Sequence, residues 1–376
     1  MDDLVVGAGI LGLAHAYHLA RMGRKVTVVE RGRKAMGASC RNFGMVWPIG
    51  QPAGEMETMA VASRGHWLSV VREAGLWHDA TGSLHLAYHA DEAAVLHEYQ
   101  AQTAHTSPEI AAMRAVIGRD EIASRAPRVQ TQGIQCGLWS ETEVAVDPRQ
   151  VIWELPAWLN RRFGVDFRFG AVALPLSDGR WRIGPGESIR PARVWVCSGE
   201  DFETLYPEVF AASGLIKCKL QMMRTVPLGA GERLGPMMAA GLTLGHYKSF
   251  ANCPTLPELR RRFAREMPEY EIYGIHVLVS QQGSGEITLG DSHEYDEAID
   301  PYDKTRIDDL ILRYLSTFLK SADFRVNSRW NGCYAKHALK PYFVESPEPN
   351  VTIVNGPGGA GMTLSFGLAE KMTASV

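Results

Sequence analysis

Two glycine-rich turns at opposite ends of the chain carry the residue types and spacings best suited to chemistry. Gly7, Gly9 and Gly12, with Ala8, Ile10 and Leu11 between them, follow the apolar run Leu4, Val5 and Val6. Gly356, Pro357, Gly358, Gly359, Ala360, Gly361, Met362 and Thr363 follow a strand expected over 351–354. A glycine turn that opens a helix presents free backbone N–H groups and the positive end of the helix dipole, which together seat an anion. In the first turn each glycine has its own steric task. Gly7 turns the chain tightly, Gly9 lets backbone approach a pyrophosphate, and Gly12 lets helix and strand pack closely. A helix expected over 11–22 and a strand over 25–29 then lead to Glu30, which would accept hydrogen bonds from both ribose hydroxyls and repel a 2′-phosphate. Strand, turn, helix, strand and acid in this order predict a dinucleotide site.

The elements that must position these turns follow from periodicity and punctuation. Arg31 to Gly44 is small, polar and irregular, and Ser39, Cys40, Arg41, Asn42, Phe43 and Gly44 read as a loop lying against the bound ligand. Helical spacing predicts helices over 55–74, 91–102, 108–116 and 118–126. Alternation predicts a strand over 81–88 and a strand pair over 137–146. Asp147–Pro148 is a strong helix start and opens a helix to about residue 163. A strand over 165–174, a hairpin at 181–189 and a buried strand over 193–197 ending in Ser198–Gly199 follow. The next stretch is β-rich over 216–226, 243–247, 273–281 and 286–290, with a helical insert over 256–266. A helix over 303–319, strands over 325–334 and 351–354, and a helix from Thr363 complete the chain. Nucleotide-type pieces therefore stand at the start, the middle and the end, with β-rich segments between them. One domain assembled from distant pieces around a large cofactor is expected.

Composition excludes several other classes. The 376 residues are 45% hydrophobic and 22% charged, with a net charge of −3 and no long run of either sign. Neither nucleic acid nor an anionic membrane is an expected partner. No apolar run reaches the ~20 residues that span a bilayer. The glycine motif begins near Met1, which leaves no room for a leader peptide, so a cytoplasmic protein is expected. Six cysteines are scattered without a C-x-x-C pair, as reduced thiols would be, and no metal-ligand spacing is present.

In order and spacing these pieces resemble the D-amino-acid oxidase, glycine oxidase and sarcosine oxidase family of flavoproteins over nearly the whole chain. The resemblance rests on the first glycine turn with Glu30, the loop from Ala38 to Gly44, the Asp147–Pro148 helix start, the strand ending in Gly199, the segments at 286–290 and Arg329–Trp330–Asn331–Gly332, and the closing glycine loop. It implies an α/β fold with an α+β second part. A Rossmann-like, glutathione-reductase-like FAD-binding domain (1–80, 145–215, 329–376) would be interleaved with a β-sheet-rich substrate domain (81–144, 216–328). By carry-over, FAD would be held by Gly7, Gly9, Ile10, Leu11, Gly12, Glu30, Arg31, Ser39, Arg41, Asn42, Phe43, Gly44, Val172, Ser198, Gly199 and Gly332. Gly358, Gly359, Ala360, Gly361, Met362 and Thr363 would face the flavin edge where negative charge develops on reduction. Sarcosine oxidases tether FAD through a cysteine that aligns with Gly332. Cys333 is one residue further and points to the other face of a strand, so non-covalent FAD is expected.

The family oxidises C–N bonds by hydride transfer from a neutral amine to the flavin, which requires alignment more than a dedicated acid–base pair. Departures from the family pattern therefore bear on the substrate. Amino-acid oxidases place a carboxylate-clamping arginine where this chain has Tyr334. Lys336, His337, His246, Tyr247 and Arg224, with Lys248 and Lys340 nearby, are the remaining substrate candidates. Point donors of this kind suit a tetrahedral phosphonate. The segments around 290–295 and 330–337 resemble a subgroup associated with aminophosphonate breakdown, with N-methyl-2-aminoethylphosphonate the leading substrate. The alternatives are a glycine- or sarcosine-type amino-acid oxidase and a non-catalytic FAD-binding electron-transfer subunit. Thr288 stands where sarcosine oxidases carry an oxygen-activating lysine, which leaves oxygen and another electron acceptor both open. His293 and Tyr334 are the candidate catalytic groups.

Overall fold

The computed structural model describes residues 2–229, 231–322 and 324–374. Its first sheet has six strands in the order Phe343–Glu348, Val351–Asn355, Arg193–Val196, Asp2–Val6, Lys25–Glu30 and Asp166–Phe169. All neighbours run parallel except the antiparallel edge strand Phe343–Glu348. Parallel strands need both faces covered, which is why Leu4, Val5, Val28, Val194 and Val196 are continuous apolar runs rather than alternating ones. Helices Ile10–Arg21, Glu55–Ala74, Pro148–Phe163 and Gly361–Thr373 share one core on one face. A smaller core built on Trp181, Leu205, Phe210 and Ile353 covers the other.

Sequence order reverses at the central strand Asp2–Val6, whose two neighbours lie at residues 25–30 and 193–196. Such a switch point opens a crevice at the carboxyl ends of the strands. The turn there can only be made with glycine: Gly7 has φ +102°, and a Cβ on Gly12 would stand 1.9 Å from the Gly7 carbonyl oxygen. Asp147 caps its helix as expected, accepting from Arg149 N at 2.9 Å and Gln150 N at 3.2 Å.

The second sheet has nine strands, built chiefly on Leu215–Thr225, which pairs with Val326–His337 on one side and with Ile287–Gly290 and Glu294–Asp296 on the other. It continues through Leu278–Gln281, Met237–Ala240, Ser83–Ala87, Cys136–Ser140 and Arg114–Ile117. Thr305–Phe318 and Leu256–Glu266 bury their apolar stripes in the largest core, which also holds Phe250, Tyr314 and Phe318.

Several expected elements are corrected. Only Pro108–Ala111 of 108–116 is helical, and Arg114–Ile117 pairs instead with Cys136–Ser140 at the edge of the second sheet. Residues 243–247 lie mostly in a helix, Gly241–His246, rather than in a strand; a short apolar run does not distinguish the two. The expected single strand over 165–174 breaks at Gly170, which has φ +70°, and its halves join different sheets. The pair over 137–146 does not pair with itself, since Val144–Val146 joins Met45–Val46 and His78–Asp79. Only Leu278–Gln281 of 273–281 is extended. Residues 329–337 belong to the second sheet, so the last piece of the first sheet begins at Phe343.

Candidate active site

Two adjoining cavities open at the carboxyl ends of the first sheet. The larger, about 710 Å³, is lined by Gly7, Gly9, Ile10, Leu11, Glu30, Arg31, Ser39, Val172, Ser198 and Gly199. Gly358 and Gly361 from the far end of the chain line it too. The smaller, about 270 Å³, lies between the two sheets and shares Ile10, Ser39, Arg41, Tyr334, Gly358 and Gly361 with the first. It is also lined by Asn42, Phe43, Gly332, Gly359, Ala360, Met362 and Thr363, and by His246, Tyr247, His293, Lys336 and His337. Two helix N-termini, those of Ile10–Arg21 and Gly361–Thr373, thus border one continuous cleft.

Local contacts explain how the walls are held. Glu30 accepts from Ala8 N at 3.0 Å and from Gly32 N at 2.9 Å, which places a carboxylate at the rim of the larger cavity. Ser39 Oγ accepts from Ile10 N at 3.0 Å. Asn42 ties its own loop, donating to the carbonyls of Ala38 and Ser39 and accepting from Gly44 N at 2.8 Å. At the closing turn, Trp67 Nε1 donates to Met362 O at 2.7 Å and Trp47 N donates to Thr363 Oγ1 at 2.9 Å, fixing the start of the last helix. Gly332, Tyr334 and Lys336 alternate along one face of Val326–His337 and reach the smaller cavity. Cys333, on the opposite face, borders only the larger cavity, and burial with the neighbouring Glu200 pushes its thiol far above the usual range.

Three expected site residues stand elsewhere. Gly12 lines neither cavity and serves helix–strand packing alone. Gly44 also lies off both, with φ +70° and no room for a Cβ beside the Val146 carbonyl oxygen, so its role is to turn the loop. Arg224 is removed from the set of cavity residues: it is buried, its guanidinium stands 4.9 Å from the Trp330 ring centre, and its Nε donates to Thr288 Oγ1 at 3.4 Å. Its place near the end of the long strand Leu215–Thr225 sets it against Trp330 and Thr288 rather than in the cleft.

The smaller cavity also holds groups that sequence reasoning missed. His276 and Asp291 line it, beside Trp47, Gln51 and Met56. A polar run just past the apolar strand Ile287–Gly290 was the signal for Asp291; His276, leading into Val277, Leu278 and Val279, reads as core. No metal-ligand spacing was legible, yet the fold brings ring nitrogens of His246, His276 and His293 within 4.8 Å of one another. His337 instead caps a turn, its Nδ1 accepting from Leu339 N and Lys340 N.

Burial sets the electrostatics. It holds His246 and His276 well below the ordinary imidazole range and takes His293 down to about 4. Burial likewise raises Asp291 well above the carboxylate range and lifts Tyr334 and Tyr247. Lys336 is lowered by burial, and its Nζ donates to Tyr295 OH at 2.8 Å. The imidazoles are therefore neutral near pH 7 in the absence of a bound charge. Positive charge on the wall comes from Lys248, Lys336, Lys340 and Arg41, with Asp291 the one acidic side chain lining the cavity among the described residues.

A family model described as FAD dependent oxidoreductase (DAO) matches residues 2–375, and the chain belongs to that family. Comparison with curated protein sequences finds no match. The structure is similar to L-proline dehydrogenase from P. horikoshii (18% identity, TM-score 0.77, covering 100% of this chain and 93% of that one). It is equally similar to glycine oxidase from Geobacillus kaustophilus (16% identity, TM-score 0.77, 100% and 93%). L-alpha-glycerophosphate oxidase from Mycoplasma pneumoniae, solved with FAD bound, shares the fold as well (18% identity, TM-score 0.73, 99% and 93%). The cleft fits FAD. A Cβ on Gly199 would point into open space, so the wall is cut back there, while Gly9 leaves room for the Ser39 side chain that its Cβ would crowd at 3.1 Å. Among the described residues no helix is long and apolar enough to cross a membrane.

Proposed function

We propose that this FAD-dependent oxidoreductase cleaves the C–N bond of a small aminoalkylphosphonate, with N-methyl-2-aminoethylphosphonate the leading substrate. One observation carries the proposal: among the described residues, Lys248, Lys336, Lys340 and Arg41 line the smaller cavity with one carboxyl group, Asp291. Such a wall suits a dianion. Tyr334 occupies the position of the arginine that would clamp a planar carboxylate, and the sequence resemblance to the aminophosphonate-associated subgroup points the same way. We assign the larger cavity to the adenosine and pyrophosphate of FAD, with Glu30 at the ribose, and the smaller to the flavin ring and the substrate.

Bound FAD supplies a two-electron acceptor. The chain holds the substrate, with Lys336 and Lys248 at the phosphonate and the Tyr334 hydroxyl donating to a substrate oxygen. Trp47, Phe43 and Met45 exclude water from the opposite wall. Oxidation removes a hydride from the carbon and a proton from the nitrogen. Water then adds to the resulting imine, and the C–N bond breaks to give phosphonoacetaldehyde and methylamine.

Anaerobic mixing of the FAD-loaded protein with N-methyl-2-aminoethylphosphonate is expected to bleach the oxidised flavin band. Sarcosine, glycine and glycerol phosphate serve as parallel arms. Bleaching by sarcosine or glycine but not by any aminophosphonate would replace the substrate assignment with an amino-acid oxidase; bleaching by glycerol phosphate alone would replace C–N with C–O oxidation.

A further inference from the structure

The three histidines of the smaller cavity come from separate elements. His246 ends the helix Gly241–His246, while His276 and His293 flank the paired strands Leu278–Gln281 and Ile287–Gly290, whose register Leu278↔Gly290 brings them to the same end. Ring centres lie 3.7 Å apart for His246 and His276, 4.6 Å for His246 and His293, and 5.0 Å for His276 and His293. Asp291 lies beside them, its Oδ1 3.5 Å from His276 Nε2 and its Oδ2 3.9 Å from His293 Nε2.

Hydrogen bonding fixes what faces what. His293 Nδ1 stands 2.9 Å from the Gly274 carbonyl and must donate to it, so Nε2 carries a lone pair toward the Asp291 carboxyl group. The two groups face each other across 3.9 Å, a gap that a proton on the carboxyl group or a bound cation can occupy. Ligands held about 2.1 Å from one tetrahedral ion stand roughly 3.4 Å apart, close to both separations around Asp291. Asp291 Oδ1 and His276 Nδ1 are buried and have no hydrogen-bond partner among the described residues. The bond from His293 to a backbone carbonyl is the kind of outer contact that orients a ligating imidazole.

We propose that His246, His276, His293 and Asp291 form a four-coordinate mononuclear site for a divalent transition-metal ion at the wall of the smaller cavity. Three imidazoles and one carboxylate favour zinc, copper or iron over magnesium or calcium. The Lys336 ammonium opposes the ion, whereas the Asp291 carboxylate offsets part of its charge. His18, His66 and Glu370 form another compact group, but His66 Nε2 already meets Glu370 Oε2 at 3.0 Å, which makes His66 a fitting control.

FAD-loaded protein is stripped with EDTA, incubated with Zn²⁺, gel-filtered and analysed for zinc and flavin. A second sample takes one equivalent of Cu²⁺ for electron paramagnetic resonance. Wild-type protein and His66→Ala are expected to retain one zinc per flavin and to show nitrogen hyperfine splitting from copper. His276→Ala and Asp291→Asn should lose at least tenfold in zinc retention while keeping their flavin. Two variants of different chemistry guard against a folding defect in either. Wild-type zinc no higher than in both variants, or zinc lost only in His66→Ala, would overturn the site. Metal retention is read without substrate, so its failure is separable from failure of the substrate assignment, which flavin bleaching in EDTA-treated protein tests alone.

Discussion

Replacing Lys336 with methionine keeps the length and apolar stem of the side chain and removes its charge. The ammonium borders the smaller cavity and donates to Tyr295 OH, with its methylenes packed 3.5 Å from the position a Gly358 Cβ would take. A hydrogen bond to a charged partner contributes about 1.5–3 kcal/mol. A unit-charge pair at 4 Å is worth about 4 kcal/mol at an effective dielectric near 20. Burial already disfavours the charged lysine, as its lowered pKa records, so the lower part of that range applies. A loss of about 2 kcal/mol corresponds to roughly thirtyfold in affinity. Stopped-flow reduction of the flavin under anaerobic conditions reads this directly. Lys336→Met should raise the half-saturating concentration of N-methyl-2-aminoethylphosphonate about thirtyfold and change the limiting rate little, with flavin content unchanged. Sarcosine, with one negative charge, should suffer a smaller loss. An unaltered half-saturating concentration, or an equal loss for both compounds, would refute the assignment of Lys336 to the phosphonate.

Other perturbations test the frame around the site. Arg114 and Glu57 form a buried ion pair at 2.8 Å with side chains 1% and 3% exposed, so Arg114→Met should destabilise the fold by about 3–5 kcal/mol in guanidinium unfolding; a loss under about 1 kcal/mol would contradict it. Glu30→Gln removes the charge that two backbone N–H groups now share and should weaken FAD about tenfold or more, measured by flavin fluorescence on titrating apoprotein. Burial alone would raise the Asp91 carboxyl group, but hydrogen bonds and charge from Arg262 outweigh it and hold the group below its ordinary value. Its contribution is therefore full above the ordinary carboxylate pKa and lost as pH falls through the lower folded value. Asp91→Asn should lower stability at pH 7 and flatten the acid limb of a melting-temperature profile; an unchanged limb would exclude Asp91 as its source.

What was legible in the sequence was what local backbone geometry dictates. Gly7 and Gly12 are required by contacts within a few residues of themselves, and Asp147 caps the helix it precedes; such demands are written where they act. The closing glycine loop was legible for the same reason. His276 and Asp291 were not, because their meeting depends on the register Leu278↔Gly290 between strands separated by a turn, and a histidine leading into an apolar run looks like core. Arg224 failed in the opposite direction. Its charge drew it into the expected pocket, while its place at the end of the strand Leu215–Thr225 carried it over Trp330. The segment 329–337 looked like part of the nucleotide domain, but a strand as long as Val326–His337 pairs along almost its whole length with Leu215–Thr225.

The central strand of the first sheet, Asp2–Val6, stands far upstream of its sheet partner Val351–Asn355 and of the helix that closes the cleft, so translation delivers them far apart in time. A nascent chain halted near residue 340 has Gly7, Gly9 and Glu30 but lacks Asn355, Pro357, Gly358 and Gly361 of the same cavity wall. A chain truncated at that point should therefore emerge colourless from a column equilibrated with FAD.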